Sequence, residues 1–201
     1  MNKVSKMAEK IADSLCQKEL IPECDKEIYQ FGYEVLIENA GKTFLLLLAG
    51  GVLHQLAVTL IFVVAFTTLR SCCGGYHASQ SWKCDLLTVL LWGIVVAGVV
   101  LFEPVVRKGQ VLFILIAIVS ELIIYQYAPV EHIHKRLTEE KRKKNRRKAL
   151  RLGMFYGILI LLLGFTQIRL GLALALTVLE AVILMMIPKE RRGHDEEADN
   201  F

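Results

Sequence analysis

The sequence predicts an all-α fold, a polytopic integral membrane helical bundle with amphipathic interfacial helices at its N-terminus. Apolar residues are concentrated in five long runs, at 43–69, 86–102, 111–127, 152–168 and 170–187. Runs of about 17–25 apolar residues match the thickness of the hydrocarbon core of a bilayer. Charged residues, 22% of the chain, are crowded between these runs. This distribution, more than the overall 54% of hydrophobic residues, indicates membrane-spanning helices.

The N-terminal 42 residues carry charges throughout and lack the apolar core that a signal peptide needs. Two apolar stripes recur there at helical spacing. They are Val4, Met7, Ala8, Ile11 and Leu15, ahead of Pro22, and Ile28, Phe31 and Val35, after the expected N-cap Asp25. Helices of this kind lie flat at the membrane interface or pack against the rest of the protein, and the sequence is compatible with both.

The first apolar run, 43–69, is interrupted by Gly50-Gly51 and by His54-Gln55. A straight helix of this length would extend about 40 Å, more than one untilted crossing requires. The segment is therefore either one tilted span or a re-entrant element, and the interruptions favour the re-entrant form. His54 is expected to be a polar residue facing the bundle.

Polar stretches divide the chain into seven segments, which serve as the expected domain organisation. They are the amphipathic helices 1–42, the first apolar segment 43–69, a polar stretch 70–85, two transmembrane helices 86–127, a basic loop 128–151, a transmembrane hairpin 152–188 and a charged tail 189–201. Glu121 and Glu180 lie inside apolar runs. Because charge is costly in lipid, both are expected to face the bundle interior, to bind a polar substrate group or to join helices.

The basic loop carries the strongest charge feature of the chain. From Lys135 to Arg151 there are ten Lys or Arg against two Glu, a net of +8 in a chain of net charge +4. The positive-inside rule places this loop in the cytoplasm, and counting the spans places 70–85 and the tail there too. The loop could dock an acidic peptide, contact anionic lipids, or only set the topology; nucleic-acid binding is not expected. The candidate docking residues are Lys135, Arg136, Lys141, Arg142 and Lys143.

Five cysteines occur in the chain, at positions 16, 24, 72, 73 and 84. Their odd number and scattered spacing argue against a disulfide framework and for reduced thiols in a reducing compartment.

The stretch from Arg70 to Cys84 contains the candidate chemistry. His77 and Cys84 could act as base and nucleophile if the fold brings them within hydrogen-bond reach. A straight helix would hold them about 10.5 Å apart along its axis, so the chain must bend, and Gly74-Gly75 provides the freedom to do so. Cys84 is expected in the first turn of the helix that begins near Asp85, where exposed amides and the helix dipole favour the thiolate.

Other roles for these residues remain open. The cysteines could simply pack, or Cys72, Cys73, His77 and Cys84 could together ligate a metal. Spacing alone does not choose among the residues that could orient His77, which are Glu34, Glu38, Asn39, Ser79 and Ser81.

The sequence Gly74-Gly75-Tyr76-His77-Ala78, between Arg70 and Cys84, resembles the AgrB family of accessory gene regulator membrane peptidases. Gly41-Lys42, Tyr127-Ala128-Pro129 and Glu180-Ala181 extend the resemblance along nearly the whole chain. It implies a cysteine endopeptidase with His77 and Cys84 as catalytic pair, and a site shaped by residues that include Arg70, Gly74, Gly75 and Ser81. The chain departs from the family where Val130–His134 separate the Ala-Pro from the basic residues.

The resemblance further implies cleavage of an AgrD-like quorum-sensing propeptide through an acyl-thioester on Cys84, followed by thiolactone closure. It implies a homodimer in the bacterial cell membrane, in contact with lipids, with neither cofactor nor metal. The alternatives are a non-enzymatic membrane protein that binds or exports peptides, and a thiol or metal sensor.

Overall fold

Helices make up almost all of the computed structural model, which describes residues 3–73, 81–106, 109, 111–130 and 139–186, without the side chains of Lys3, Ser81 and Trp82. The α-helices of this part are α1 (Lys3–Gln17), α2 (Lys26–Val52), α3 (Leu56–Cys73), α4 (Ser81–Val106), α5 (Val111–Tyr127), α6 (Glu139–Thr166) and α7 (Ile168–Met186). A 3-10 turn, Glu23–Asp25, precedes α2. The all-α prediction is confirmed.

Five of the described helical segments are long and apolar enough to cross a membrane. They are Glu23–Val52, Leu56–Cys73, Lys83–Val106, Glu139–Thr166 and Ile168–Met186. The helix α5 is apolar but shorter, with 17 residues. At 1.5 Å per residue it extends about 25 Å, close to the thickness of the hydrocarbon core. These helices confirm the predicted polytopic membrane bundle.

The apolar run 43–69 is divided between two helices. The amides of His54 and Gln55 donate to the carbonyls of Gly51 and Gly50 at 3.1 and 2.7 Å, and His54 has a φ of 54°. This pattern is a Schellman motif, which satisfies the last carbonyls of a helix with one residue in the left-handed region. The Gly-Gly and His-Gln pairs thus mark the end of α2. His54 is exposed at this turn, and the expectation that it faces the bundle stays a prediction.

Two other segment boundaries fall inside helices. The helix α2 begins at Lys26 and continues from the charged N-terminal segment into the apolar run. The helix α6 begins at Glu139, so the described half of the basic segment is helical and continues directly into a span. The later part of each charged segment therefore belongs to the helix that continues into the next apolar run.

The chain forms two compact units, and the first, Met1–Leu56, contains α1 and α2. In this unit α1 packs through Ala8 and Ala12, which are fully buried. Lys26 forms an ion pair with Asp13 at 2.5 Å. Met7 lies outside the buried face of α1 and is exposed, because it sits about 100° around the helix from Ala8.

The second predicted stripe of the N-terminal segment, Ile28, Phe31 and Val35, is exposed along α2. Asp25 occupies the N-cap position of this helix, but its side chain makes no capping hydrogen bond. The stripe therefore remains available as an apolar surface, and contact of this surface with the membrane interface stays a prediction.

The second unit, Ala57–Phe201, is built around α7, which packs against α4, α5 and α6. Small residues allow the close approaches. A Cβ at Gly171 would lie 2.5 Å from the backbone nitrogen of Gly164, and one at Gly164 would lie 2.7 Å from the ring of Phe113. Across the bundle, a Cβ at Gly98 would lie 2.8 Å from the side chain of Leu176. Contacts of this kind replace the hydrophobic driving force that is absent between helices in lipid.

Candidate active site

Cys84 lies in the first turn of α4, three residues after Ser81, at which the helix begins. Its side chain is half-buried and its thiol is free. The Thr88 hydroxyl donates to the Cys84 carbonyl at 2.9 Å. The helix begins four residues earlier than Asp85, and Cys84 still lies in its first turn, the part of a helix at which negative charge is favoured.

Arg70 approaches this thiol from the last turn of α3. Its Nη2 donates a hydrogen bond to the Sγ of Cys84 at 3.2 Å. The structure thus brings together Arg70 and Cys84, two residues that the sequence singled out at opposite ends of the polar stretch. A guanidinium N–H at a sulfur provides a charged donor, which stabilises negative charge on that sulfur more than a neutral donor does.

The two helices that carry Arg70 and Cys84 are joined by a second contact deeper in the bundle. The indole Nε1 of Trp92 on α4 donates to the hydroxyl of Thr59 on α3 at 3.0 Å, and both side chains are buried. On its other side, α3 is joined to α6 by a hydrogen bond of 2.7 Å between the hydroxyls of Thr68 and Tyr156. These contacts hold α3 in place relative to its neighbours.

The C-terminal end of α3 is anchored to the chain that follows α5. The amide of Val130 donates to the carbonyl of Cys73 at 2.8 Å. A cavity of about 10 Å³, roughly the space for one water molecule, lies beside Arg70 among Leu69, Ile124 and Met185. Arg70 therefore sits where α3, α5 and α7 meet, with its guanidinium directed at α4.

Several predicted site residues lie outside the described part of the chain. Residues 74–80 include Gly74, Gly75, His77 and Ser79. Ser81 begins α4, but its side chain is not described. The pairing of His77 with Cys84, the role of the glycines and the choice of a residue that orients His77 all remain predictions.

The candidate docking residues are partly described. Lys141, Arg142 and Lys143 are exposed in the first turns of α6, whereas Lys135 and Arg136 lie outside the described residues. Lys143 is 4.0 Å from Glu139, four residues earlier on the same helix. Such exposed pairs contribute little to stability.

Arg146, near the start of α6, contacts α5. Its Nη2 donates to the carbonyl of Tyr125 at 3.4 Å, and its guanidinium lies 5.7 Å from the centre of the Tyr125 ring. This side chain joins the base of α6 to α5.

The two embedded acids lie in the bundle as half-buried residues. Oε2 of Glu121 and both carboxyl oxygens of Glu180 are buried and have no hydrogen-bond partner among the described residues. The Glu121 carboxyl packs against Gly153 of α6, in the space that a Cβ there would fill. Glu121 thus faces a neighbouring helix, and its carboxyl depends on a glycine for room.

All five cysteines are free thiols. Within the described residues, no group of three or more His, Cys, Asp or Glu side chains is arranged to hold a metal ion. The four-ligand alternative includes His77, which lies outside those residues, so it is not tested.

Comparison with known proteins identifies the family. The model of the family described as accessory gene regulator B, AgrB, matches residues 8–187. The chain belongs to the AgrB family. This family takes part in accessory gene regulator processing, a quorum-sensing system, and it implies an AgrD-like propeptide as partner.

Curated relatives of this AgrB-family chain carry the same family name. A protein of Clostridium perfringens named AgrB-like protein 2 is 29% identical over 169 residues, covering 79% of this chain and 76% of the relative. An AgrB-like protein of Halalkalibacterium halodurans is 30% identical over 150 residues, covering 74% and 72%. No solved structure matches the chain.

One residue at the candidate site of this AgrB-family member was not singled out from the sequence. Phe66 lies beneath the Arg70 guanidinium, with 5.6 Å between the guanidinium carbon and the centre of the ring. The only sequence signal is the spacing of four residues, which places two side chains on one helix face. An aromatic residue at that spacing inside an apolar run is ordinarily a packing residue, so the spacing alone did not identify it.

Proposed function

We propose that this AgrB-family protein is a membrane cysteine endopeptidase that cleaves an AgrD-like propeptide through an acyl-thioester on Cys84. The observation that carries the proposal is the hydrogen bond from Arg70 to the Cys84 sulfur. It gives one cysteine of the chain a cationic partner in a helix first turn, which is the environment of a reactive thiol. Cys73, in contrast, is buried at the end of α3.

In the first step, the Cys84 thiolate attacks a backbone carbonyl of the propeptide. The C–N bond breaks, the carbonyl carbon becomes bonded to sulfur, and His77 in its protonated form gives a proton to the departing amine. The products are an acyl-enzyme thioester and a free C-terminal peptide. Because an amide is exchanged for a less stable thioester, removal of the released peptide must drive this step.

In the second step, an internal thiol of the bound propeptide attacks the same carbonyl carbon. Neutral His77 accepts the thiol proton, the bond to Cys84 breaks, and the peptide leaves as a thiolactone. One thioester replaces another, so this step is nearly balanced in bond energy. Water would hydrolyse the intermediate instead, and a site at the membrane boundary covered by the propeptide limits that loss.

The same proposal assigns a role to the exposed cationic end of α6. Lys141, Arg142 and Lys143 are exposed on a helix that continues into a span, and Lys135 and Arg136 precede it in sequence. We assign these side chains to the capture of acidic residues of the propeptide on the cytoplasmic side, where electrostatic attraction speeds association. A homodimer remains a prediction of the family resemblance.

Substitution of the proposed nucleophile tests the function. We expect Cys84→Ala to abolish cleavage of a co-expressed, C-terminally tagged AgrD-like propeptide without changing the amount of membrane-inserted protein. In the unmodified protein, mass spectrometry of the enzyme should detect a propeptide fragment attached to Cys84.

The matched control is Cys72→Ala, which removes a half-buried thiol at the end of α3 and should leave cleavage intact. Cleavage that persists in Cys84→Ala would contradict the endopeptidase mechanism and favour a protein that only binds or exports the peptide.

A further inference from the structure

Three side chains follow one face of α3 toward the Cys84 sulfur. Phe62, Phe66 and Arg70 are spaced by four residues and so lie above one another on the helix. The rings of Phe62 and Phe66 stack at 5.1 Å between centres with 14° between their planes. The guanidinium carbon of Arg70 lies 5.6 Å from the centre of the Phe66 ring, and its Nη2 reaches the sulfur.

The contact between Phe66 and Arg70 has the geometry of a cation–π interaction, which requires a cation within about 6 Å of the ring centre. Phe66 is 3% exposed and Phe62 is 1% exposed, so the ring has little freedom to move. A long arginine side chain loses considerable rotamer entropy when it is held in one place. A fixed aromatic surface beneath it reduces the number of orientations that it samples.

The ring also leaves the donor groups of the guanidinium available. A phenyl face attracts the cation without accepting the in-plane N–H groups as a carboxylate would. The contact with the ring therefore neither occupies Nη2, which donates to the sulfur, nor cancels the positive charge of the guanidinium. An acidic residue in the position of Phe66 would instead form an ion pair with the guanidinium and weaken its positive field at the sulfur.

We propose that Phe66 is a positioning residue for the nucleophile: its ring holds the Arg70 guanidinium against the Cys84 sulfur. The inference rests on the proposed function of Cys84, because it concerns the reactivity of that thiol. Phe66 acts on the sulfur through Arg70.

The experiment measures the reactivity of Cys84 without any propeptide. Iodoacetamide is added to membranes that contain the protein, and peptide-resolved mass spectrometry follows the alkylation of Cys84 at one fixed pH. We expect Phe66→Leu to slow alkylation about threefold to tenfold, the range that a cation–π contact supports. Phe66→Trp, which keeps an aromatic face, should restore most of the rate.

The control is Phe62→Leu, which removes a ring of the same size from the same helix face, one turn further from Arg70. If Phe66 only fills space in the bundle, both leucine variants will change alkylation alike, and the proposal is overturned. A rate in Phe66→Leu equal to that of the unmodified protein would overturn it as well.

A second variant covers the case in which Phe66→Leu does not fold. Trifluorophenylalanine at position 66 retains nearly the same shape but weakens the negative face of the ring. We expect alkylation to slow with this substitution while thermal unfolding is unchanged; an unchanged alkylation rate would refute the proposal. With propeptide, the same variants should lower kcat and leave KM unchanged. Alkylation does not depend on cleavage, so its outcome is separate from the Cys84→Ala test of the proposed function.

Discussion

At the scale of single residues, His54 occupies a backbone position that suits glycine better. Its φ of 54° lies in the left-handed region, which costs a residue with a Cβ about 1–2 kcal/mol. We therefore expect His54→Gly to strengthen the end of α2 by about 0.5 kcal/mol, after subtracting the extra freedom of glycine in the unfolded chain. Hydrogen exchange of the Gln55 amide, which donates to Gly50, should slow about twofold.

The neighbouring position gives the control for this prediction. Gln55 is not among the residues with positive φ in the described chain, so glycine there relieves no backbone strain and adds freedom to the unfolded chain. Exchange near the end of α2 should be faster in Gln55→Gly. Slower exchange in both variants would show that the left-handed conformation of His54 is not the cause.

At the scale of elements, the crossing of α6 and α7 depends on glycine. A Cβ at Gly171 would meet the backbone of Gly164, and a backbone atom cannot move aside as a flexible side chain can. We expect Gly171→Ala to force the two helices apart, at a cost of about 1–3 kcal/mol. Thermal unfolding in detergent would record this as a lower Tm.

Gly157 on α6 provides the comparison for the helix crossing. Apart from its chain neighbours and the backbone of its own helix, no atom lies within 4 Å of a Cβ built there, so Gly157→Ala should leave Tm unchanged or raise it slightly through better helix propensity. An equal decrease in Tm in Gly171→Ala and Gly157→Ala would show that the loss of stability does not come from the close approach of α6 and α7.

At the scale of the whole molecule, the orientation in the membrane can be tested at two points of one helix. The positive-inside rule predicts that the exposed cationic end of α6 lies in the cytoplasm, and therefore that its other end, Thr166 and the following Gln167, lies on the opposite side. A cysteine introduced as Lys144→Cys should react with a membrane-impermeant maleimide only in inside-out vesicles. One introduced as Gln167→Cys should react only in right-side-out vesicles, and the reverse pattern would refute the cytoplasmic assignment.

Much of the fold could be predicted from the sequence because span length and charge distribution are properties of the chain itself. The end of α2 at Val52 could not, since Gly-Gly followed by His-Gln also fits a bent or tilted helix. The choice depends on the two capping hydrogen bonds to Gly50 and Gly51. The sequence indicates a basic loop at 128–151, whereas its described part from Glu139 onward is helical and contacts α5 through Arg146 and Tyr125.

The candidate site was only partly predictable, because some of its features follow from local sequence and others from the packing of separate helices. The placement of Cys84 in a helix first turn followed from local sequence, because the apolar run begins just after it. Its hydrogen bond with Arg70 joins residues 14 positions apart and depends on how α3 packs against α4. The contribution of Phe66 depends on the same packing.

The central position of α7 bears on how the protein is made. Its neighbours α4, α5 and α6 precede it in the sequence, so the ribosome delivers them to the bilayer before the helix that they surround. Until then, the glycine-lined surface of α6 and the buried side of α4 face lipid or each other. Insertion of individual spans and their lateral association are separable stages for membrane helices. The core of the bundle therefore forms only when α7, the last of these four helices to be inserted, packs among α4, α5 and α6, which are already in the membrane.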